Sequence, residues 1–125
     1  MKKAVYSSNA PEAIGPYSQG IKAGSLLFLS GQLPIDPKTG LLKEGIQEQT
    51  TQVLNNISAI LESEQLTIND VLKTTVFLKN LSDFSAMNEI YAKFFAEPYP
   101  SRSTVEVAAL PKNALVEIEC IAIKN

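Results

Sequence analysis

The sequence of 125 residues contains no histidine and no tryptophan, and it has a single cysteine. Without histidine, the chain has no Ser-His or Cys-His pair for nucleophilic catalysis and no zinc site with an imidazole ligand. The lone Cys120 excludes a disulfide within the chain and a CxxC redox pair, and sparse use of cysteine is typical of a reducing compartment. We therefore expect no metal site and only a short list of possible catalytic groups.

The chain also lacks an excess of positive charge. Eleven Lys and Arg residues against thirteen Asp and Glu residues give a formal net charge of −2, which disfavours nucleic acid and anionic membranes as partners. No apolar run approaches the roughly 20 residues that span a bilayer, and the N-terminal residues do not form the apolar core of a signal peptide. These absences predict a cytoplasmic protein that binds neither nucleic acid nor membrane.

The length and composition fit one domain that covers residues 1–125. A chain of this size with 45% hydrophobic residues can bury a core without disulfides or a structural metal. No internal repeat, low-complexity tract or linker divides the sequence.

Hydrophobic periodicity predicts strands that alternate with two helices. Helical spacing of apolar residues covers residues 46–64 and 84–95, and Leu81-Ser82-Asp83 precedes the second helix as a cap. Residues 14–20 are typical of an ordered irregular loop, and residues 36–40 are typical of a turn. Short apolar or β-branched runs predict strands over residues 3–7, 26–33, 71–78, 103–107 and 115–124. The order ββαβαββ indicates an α+β fold.

The last predicted strand carries apolar side chains on both of its faces. One face holds Val116, Ile118, Cys120 and Ala122, and the other holds Leu115, Glu117, Glu119, Ile121 and Ile123. Two helices can cover only one face of a sheet, so the second face needs a partner. In so small a chain the simplest partner is another copy, and we predict a homo-oligomer in which Cys120 is a core residue.

Three polar residues are candidates for a functional site. Arg102 is the only arginine, and it follows a Pro-containing bend, which suits a bidentate grip on a carboxylate; a surface ion pair with a glutamate is the alternative. Glu117 lies on an apolar strand face, where a carboxylate is costly unless it is paired across subunits, exposed at the strand end or employed in catalysis. Tyr17 lies in a Gly-Pro-Tyr-Ser loop and either presents its hydroxyl to a ligand or closes the loop onto the core.

Motifs spread over nearly the whole chain are specific in residue type and spacing: residues 9–11 and 14–20, residues 30–34, residues 73–77 and residues 100–118. In these motifs the chain resembles the RidA/YjgF family of small enamine/imine deaminases. The resemblance implies a chorismate-mutase-like α+β fold with two helices on one face of a mixed sheet, assembled as a homotrimer with clefts between subunits. It also implies hydrolysis of 2-imino acids and their enamine tautomers, such as 2-aminoacrylate and 2-iminobutyrate, to 2-keto acids and ammonia without a cofactor. PLP-dependent dehydratases acting on serine and threonine produce these imines.

The resemblance also implies roles for individual residues. Arg102 would hold the substrate carboxylate in a two-bond fork, Glu117 would orient and deprotonate the attacking water, and Tyr17 would close the pocket with its hydroxyl. Ser30 and Gly31 match positions that line the family's cleft, and Asn88 matches a neighbouring polar position on the second helix.

The chain departs from the family pattern at two positions. Thr104 stands where many relatives have cysteine, and Ala109 stands where a second arginine is common. Imine hydrolysis has no step that demands sulfur, so we expect Thr104 to contribute its backbone N–H to the substrate. The alternative function is a non-catalytic trimer that senses keto or imino acids or docks on a partner protein. Retention of Arg102, Glu117 and Tyr17 together favours the deaminase.

Overall fold

The computed structural model describes residues 1–125 as one six-stranded sheet with two α-helices. The strands follow the order β1-β2-β3-β6-β4-β5, and all neighbours are antiparallel except β4 and β5, so the sheet is mixed. This confirms the predicted α+β class and the mixed sheet. The elements are β1 (Lys2–Val5), β2 (Gly20–Ala23), β3 (Leu26–Gln32), α1 (Ile46–Glu62), β4 (Val71–Leu78), α2 (Phe84–Phe94), β5 (Ser101–Glu106) and β6 (Val116–Ile123).

Strand β2 is the one strand that the sequence pattern did not predict. Its four residues are too few to show an alternating pattern, and the strand exists because it pairs with β1 on one side and β3 on the other. Gly24, at a φ of +60°, makes the tight turn from β2 into β3. The predicted loop therefore ends at Gln19, and Gly20 already belongs to the sheet.

The predicted cap of α2 is a second difference. Residues Leu81–Asp83 form a short 3₁₀ turn that leads directly into α2, and the Asp83 side chain makes no capping hydrogen bond. Asp83 has φ −85° and ψ 2°, whereas a capping residue typically adopts an extended backbone that aims its side chain at the first free N–H groups.

Both helices cover the same face of the sheet. The face of β6 that holds Ile118, Cys120 and Ala122 is buried in a core cluster of 21 residues, to which α1 and α2 also contribute. On the same face, the hydroxyls of Thr74 in β4 and Tyr91 in α2 form a hydrogen bond of 2.8 Å. Burial raises the pKa of the Cys120 thiol to about 12, so Cys120 is an uncharged core residue, as its strand position predicted.

The opposite face of the sheet, called the open face below, has no helix over it. Glu117, Glu119 and Ile121 of β6 lie on it, and Ile121 pairs with the exposed Phe28 of β3. Apolar side chains on an uncovered sheet are the feature from which the homo-oligomer was predicted. Neither helix has the length and apolar character that crossing a membrane requires.

Candidate active site

Arg102 is held beneath α2 at the edge of the sheet. Arg102 pairs with Thr74, which places its side chain on the helix-covered face. Its Nη1 donates to Asn88 Oδ1 at 2.8 Å, and the guanidinium carbon lies 4.7 Å from the ring centroid of Tyr91 and 5.5 Å from that of Phe84. These contacts fix the plane of the guanidinium without consuming most of its five N–H donors.

No carboxylate of the chain pairs with Arg102, because the three ion pairs of the structure all involve lysines. The alternative of a surface ion pair with a glutamate is therefore not formed within the chain. A cavity of about 300 Å³ lies beside the guanidinium, and Asn88, Tyr91 and Tyr99 are among its lining residues. Arg102, Asn88 and Tyr91 form what we call the arginine half-site.

Thr104 lies two residues after Arg102 on the same strand face. The N–H of Val107 donates to Leu78 in β4, and bonds to the neighbour alternate along a parallel strand. The N–H of Thr104 therefore points to the free edge of β5, where the sheet ends. The Thr104 hydroxyl is buried and has no hydrogen-bond partner.

Glu117 extends over Gly31 on the open face. A Cβ atom at position 31 would lie only 2.9 Å from Cδ of Glu117 and 3.1 Å from its Cγ, so the carboxyl group needs a glycine there. The β3–β6 pairing changes register between Leu29 and Gln32, at the position of this contact. The Glu117 carboxylate accepts no hydrogen bond and forms no ion pair within the chain.

Burial raises the pKa of the Glu117 carboxyl, and the negative charge of the neighbouring Glu119 raises it further. A carboxyl with a raised pKa exchanges its proton closer to neutral pH than an exposed glutamate does. That property is required of a general acid or base.

The contact between Gly31 and Glu117 gives a first prediction. We expect Gly31→Ala to lower turnover about tenfold, because the added methyl group displaces the Glu117 carboxyl and a shift of about 1 Å at a reacting group is costly. Gly20→Ala is the matched control, since a Cβ at that strand position meets no atom closer than 3.4 Å. Activity of Gly31→Ala equal to that of the Gly20→Ala protein would show that the position of the carboxyl is not critical.

Tyr17 is carried by the irregular loop beside Gly31. Its ring is half exposed, and its hydroxyl accepts a hydrogen bond from the N–H of Ile14 at 3.3 Å. Ser30 Oγ donates to the carbonyl of Ser18 at 2.6 Å, so the Ser30 hydroxyl proton holds this loop against β3. Because the Ser30 hydroxyl already donates its proton, it can only accept a hydrogen bond from a ligand.

Gln19 is a residue of this loop that the sequence analysis missed. Its buried side chain accepts from the N–H of Ser7 at 2.7 Å and donates to the carbonyls of Ser7 and Pro11 at 3.0 and 2.9 Å. These bonds tie the Tyr17 loop to the N-terminal segment. A single glutamine in a loop carries no periodic signal by which it could have been found.

A cavity of about 610 Å³ opens between this loop and the end of β3. Tyr17, Gln19, Gly31, Leu33 and Ile35 are among its lining residues. This volume falls in the range of small-molecule sites. Gly31, which lines this cavity, also contacts Glu117, and we call Glu117, Gly31 and Tyr17 the glutamate half-site.

The two half-sites lie on opposite faces of the sheet. In β4, Thr74 pairs with Arg102 on the helix-covered face, whereas Phe77 pairs with Glu117 on the open face. The chain therefore brings Arg102 together with Asn88 and brings Glu117 together with Gly31. It does not bring Arg102 and Glu117 to one cleft.

Comparison with known proteins places the chain in a family. A family model described as endoribonuclease L-PSP matches residues 7–124. The 2-iminobutanoate/2-iminopropanoate deaminase of Salmonella typhimurium is 49% identical over the full length of both chains. The Rid family protein YyfA of Yersinia pestis is 51% identical, with a TM-score of 0.96 over 98% of this chain and 99% of that chain. Escherichia coli TdcF with bound serine is 44% identical, with a TM-score of 0.94 over 98% of this chain and 99% of that chain. Sequence and fold together show that the chain belongs to the RidA/YjgF family, the one that the matching model describes as endoribonuclease L-PSP.

Proposed function

We propose that this protein hydrolyses 2-imino acids and their enamine tautomers, such as 2-aminoacrylate and 2-iminobutyrate, to 2-keto acids and ammonia. The observation that carries the proposal is a pair of unsatisfied groups: a fixed guanidinium without a carboxylate partner, and a half-buried carboxyl with a raised pKa. The first suits the carboxylate of the substrate, and the second suits proton transfer at its C=N bond. The name of the 49% identical Salmonella relative supports this substrate class.

The reaction follows from the chemistry of these groups. Arg102 donates two N–H bonds to the substrate carboxylate, and the N–H of Thr104 lies on the same strand to assist. Glu117 takes a proton from water as the water oxygen attacks the imine carbon. The protonated Glu117 then gives that proton to the nitrogen, which completes the neutral tetrahedral adduct with one hydroxyl and one amino group. Glu117 next takes the hydroxyl proton of the adduct and passes it to the amino group, so that the C–N bond breaks and ammonia leaves as the C=O bond forms. The imine carbon is already electrophilic, so the reaction requires positioning and proton transfer but no cofactor.

The proposal includes assembly as a homotrimer of the chorismate-mutase-like type, in which Arg102 of one copy faces Glu117 of the next. Two observations support it: the half-sites lie on opposite faces of the sheet, and the open face carries exposed apolar side chains. Light scattering at micromolar concentration is expected to give about three times the chain mass of 13.6 kDa. A folded monomer with full activity would rule out the shared site.

The biological role that we propose is protection. Imines released by PLP-dependent dehydratases react with other enzymes, and their hydrolysis in the cytoplasm prevents that damage. We place this chemistry in the single domain of residues 1–125, with copies of the same chain as its partners in the shared site.

A non-catalytic ligand-binding trimer is the second candidate, and the serine bound to the related TdcF favours it. Recognition of a carboxylate explains the arginine half-site equally well. Ligand binding alone does not explain why Glu117 lies against Gly31 and has a raised pKa. We therefore favour hydrolysis. The RNA cleavage in the description of the family model has little support here, because the chain has a net charge of −2 and no histidine.

A trapping assay separates hydrolysis from binding. A serine dehydratase generates 2-aminoacrylate in the presence of semicarbazide, which traps the imine as a semicarbazone. The protein is expected to lower the yield of trapped imine at substoichiometric concentration. Trapping that falls only when the protein is equimolar with the imine would identify a binding protein instead.

The position of Glu119 gives a prediction for pH dependence. Glu117 must be ionised to accept a proton from water, so kcat/KM falls as pH decreases through the pKa of Glu117. Since the charge of Glu119 raises that pKa, Glu119→Gln is expected to move the acid limb of the profile to lower pH. Glu62→Gln, a change at an exposed position at the end of α1, is the matched control and leaves the profile unchanged. An unmoved acid limb in Glu119→Gln would mean that another group controls it.

A further inference from the structure

Helix α1 buries two side-chain amides among its apolar core residues. Gln49 is 5% exposed and Asn56 is 1% exposed, and their spacing of seven positions is about two helical turns, so both lie on the same side of α1. Burying an amide is costly unless its polar atoms form hydrogen bonds. Most of the hydrogen-bond partners of these two amides lie outside α1.

Gln49 bonds to the segment that leads into β6. Its Oε1 accepts from the N–H of Leu115 at 2.8 Å, and its Nε2 donates to the carbonyl of Lys43 at 2.9 Å. Leu115 lies two residues before Glu117. The Gln49 side chain therefore holds the backbone that carries the proposed catalytic carboxyl.

Asn56 bonds to the segment that leaves β3. Its Nδ2 donates to the carbonyls of Leu33 and Ile35 at 3.1 and 3.0 Å, while its Oδ1 accepts from Nε2 of Gln52 at 2.8 Å. Leu33 lies two residues after Gly31. Asn56 thus holds the backbone on which the glycine of the glutamate half-site lies.

We propose that Gln49 and Asn56 are positioning residues that fix the distance between Glu117 and Gly31. Gln49 holds the β6 side of this contact, and Asn56 holds the β3 side. The β3–β6 pairing changes register between Leu29 and Gln32, across Gly31, so regular pairing supports Gly31 and Glu117 from one side only, through the Gln32–Ile118 pair. The two amides of α1 bond to the backbone of both strands just beyond that pair, at Leu115 and at Leu33 and Ile35. The proposal rests on the proposed function for the role of Glu117.

We call Gln49 and Asn56 the two braces. Losing the hydrogen bonds of either brace affects the glutamate half-site specifically. The Glu117 carboxyl then shifts over Gly31 and gains contact with water, which lowers kcat and brings the Glu117 pKa down toward its usual value. KM changes little, because Arg102 lies on the other face of the sheet and binds to α2 rather than to α1.

The test uses Gln49→Met, which keeps the side-chain length but removes both hydrogen bonds, and Asn56→Asp, which keeps the shape but removes both donors. Ile57→Ala is the matched control, because Ile57 is buried in the same helix and contacts neither strand through a polar group. The readouts are kcat, KM, melting temperature and the pKa of the Glu117 carboxyl from carbon-13 NMR, assigned by the signal missing in Glu117→Gln.

We expect each brace variant to lose about tenfold in kcat with KM within about twofold of the parent, and to show a lowered Glu117 pKa. Gln49→Glu still accepts from Leu115 and is expected to recover most of the kcat lost in Gln49→Met. Ile57→Ala is expected to lose melting temperature but to keep the Glu117 pKa.

Brace variants with the parent kcat and pKa, or the same changes in Ile57→Ala, would overturn the proposal. If Gln49→Met fails to fold, Asn56→Asp and Gln49→Glu decide the question through the same readouts. If the parent protein shows no deaminase activity, the proposed function fails, while the carboxyl pKa values still decide whether Gln49 and Asn56 position Glu117.

Discussion

Replacing Glu117 by glutamine is expected to lower turnover about 10²-fold while leaving assembly and ligand binding intact. Glutamine has nearly the shape of glutamate and fits over Gly31, but it cannot accept the proton of the attacking water. General-base contributions are typically about 10² to 10⁴ in rate, and the lower end applies because imines also hydrolyse in water unaided. The measurement is turnover of 2-aminoacrylate together with binding of 2-ketobutyrate to the same purified variant.

Glu119→Gln provides the matched control for this prediction. Glu119 lies on the same strand face as Glu117 but is exposed, and its loss is expected to shift the pH profile rather than remove turnover. Turnover of Glu117→Gln within about twofold of the parent would remove Glu117 from the mechanism. Loss of both assembly and 2-ketobutyrate binding would instead assign Glu117 a structural role.

The second large effect is expected at Arg102. Truncation to alanine removes two charge-assisted hydrogen bonds to the substrate carboxylate, each worth about 1.5 to 3 kcal/mol, so kcat/KM should fall at least about 10²-fold. Arg102→Lys keeps the charge but loses the planar fork and the bond that Nη1 donates to Asn88, and we expect a loss of about tenfold.

The comparison of the two arginine variants isolates the contribution of geometry. Lys73→Ala is the control for loss of a positive charge, because Lys73 lies on the other face of β4 and bonds only to Thr75 there. Arg102→Lys with parental kcat/KM would show that charge alone is sufficient. An unaffected Arg102→Ala would show that the substrate carboxylate is bound elsewhere.

The helices and central strands could be predicted because each has a strong pattern of its own. The apolar stripe of α1 and the alternation of β6 survive unchanged in the structure, with the ends shifted by two residues or fewer. Strand β2 has no such pattern, because its existence depends on neighbours that lie on both sides of it in space. The Asp83 cap failed for a related reason, since the 3₁₀ turn before α2 sets the backbone of Asp83.

The candidate site was only partly accessible from the sequence. Arg102 was recognisable as the sole arginine, and Glu117 as a carboxylate on an apolar strand face. Their separation onto opposite faces was not, because the relative phase of β5 and β6 is set through their shared neighbour β4. Gln19 and Gln49 were missed, since a buried glutamine is identified by the backbone groups it contacts and not by its position in the chain.

Mixing two inactive variants tests the central claim, that each active site combines Arg102 of one copy with Glu117 of another. Arg102→Ala and Glu117→Gln chains are co-expressed in equal amounts with different tags. Oligomers that carry both tags are then purified, and their activity is compared with that of the total population of oligomers. A shared site predicts that random assembly restores about a quarter of the parental sites, all of them in the doubly tagged oligomers. Doubly tagged oligomers as inactive as either variant alone would contradict the account.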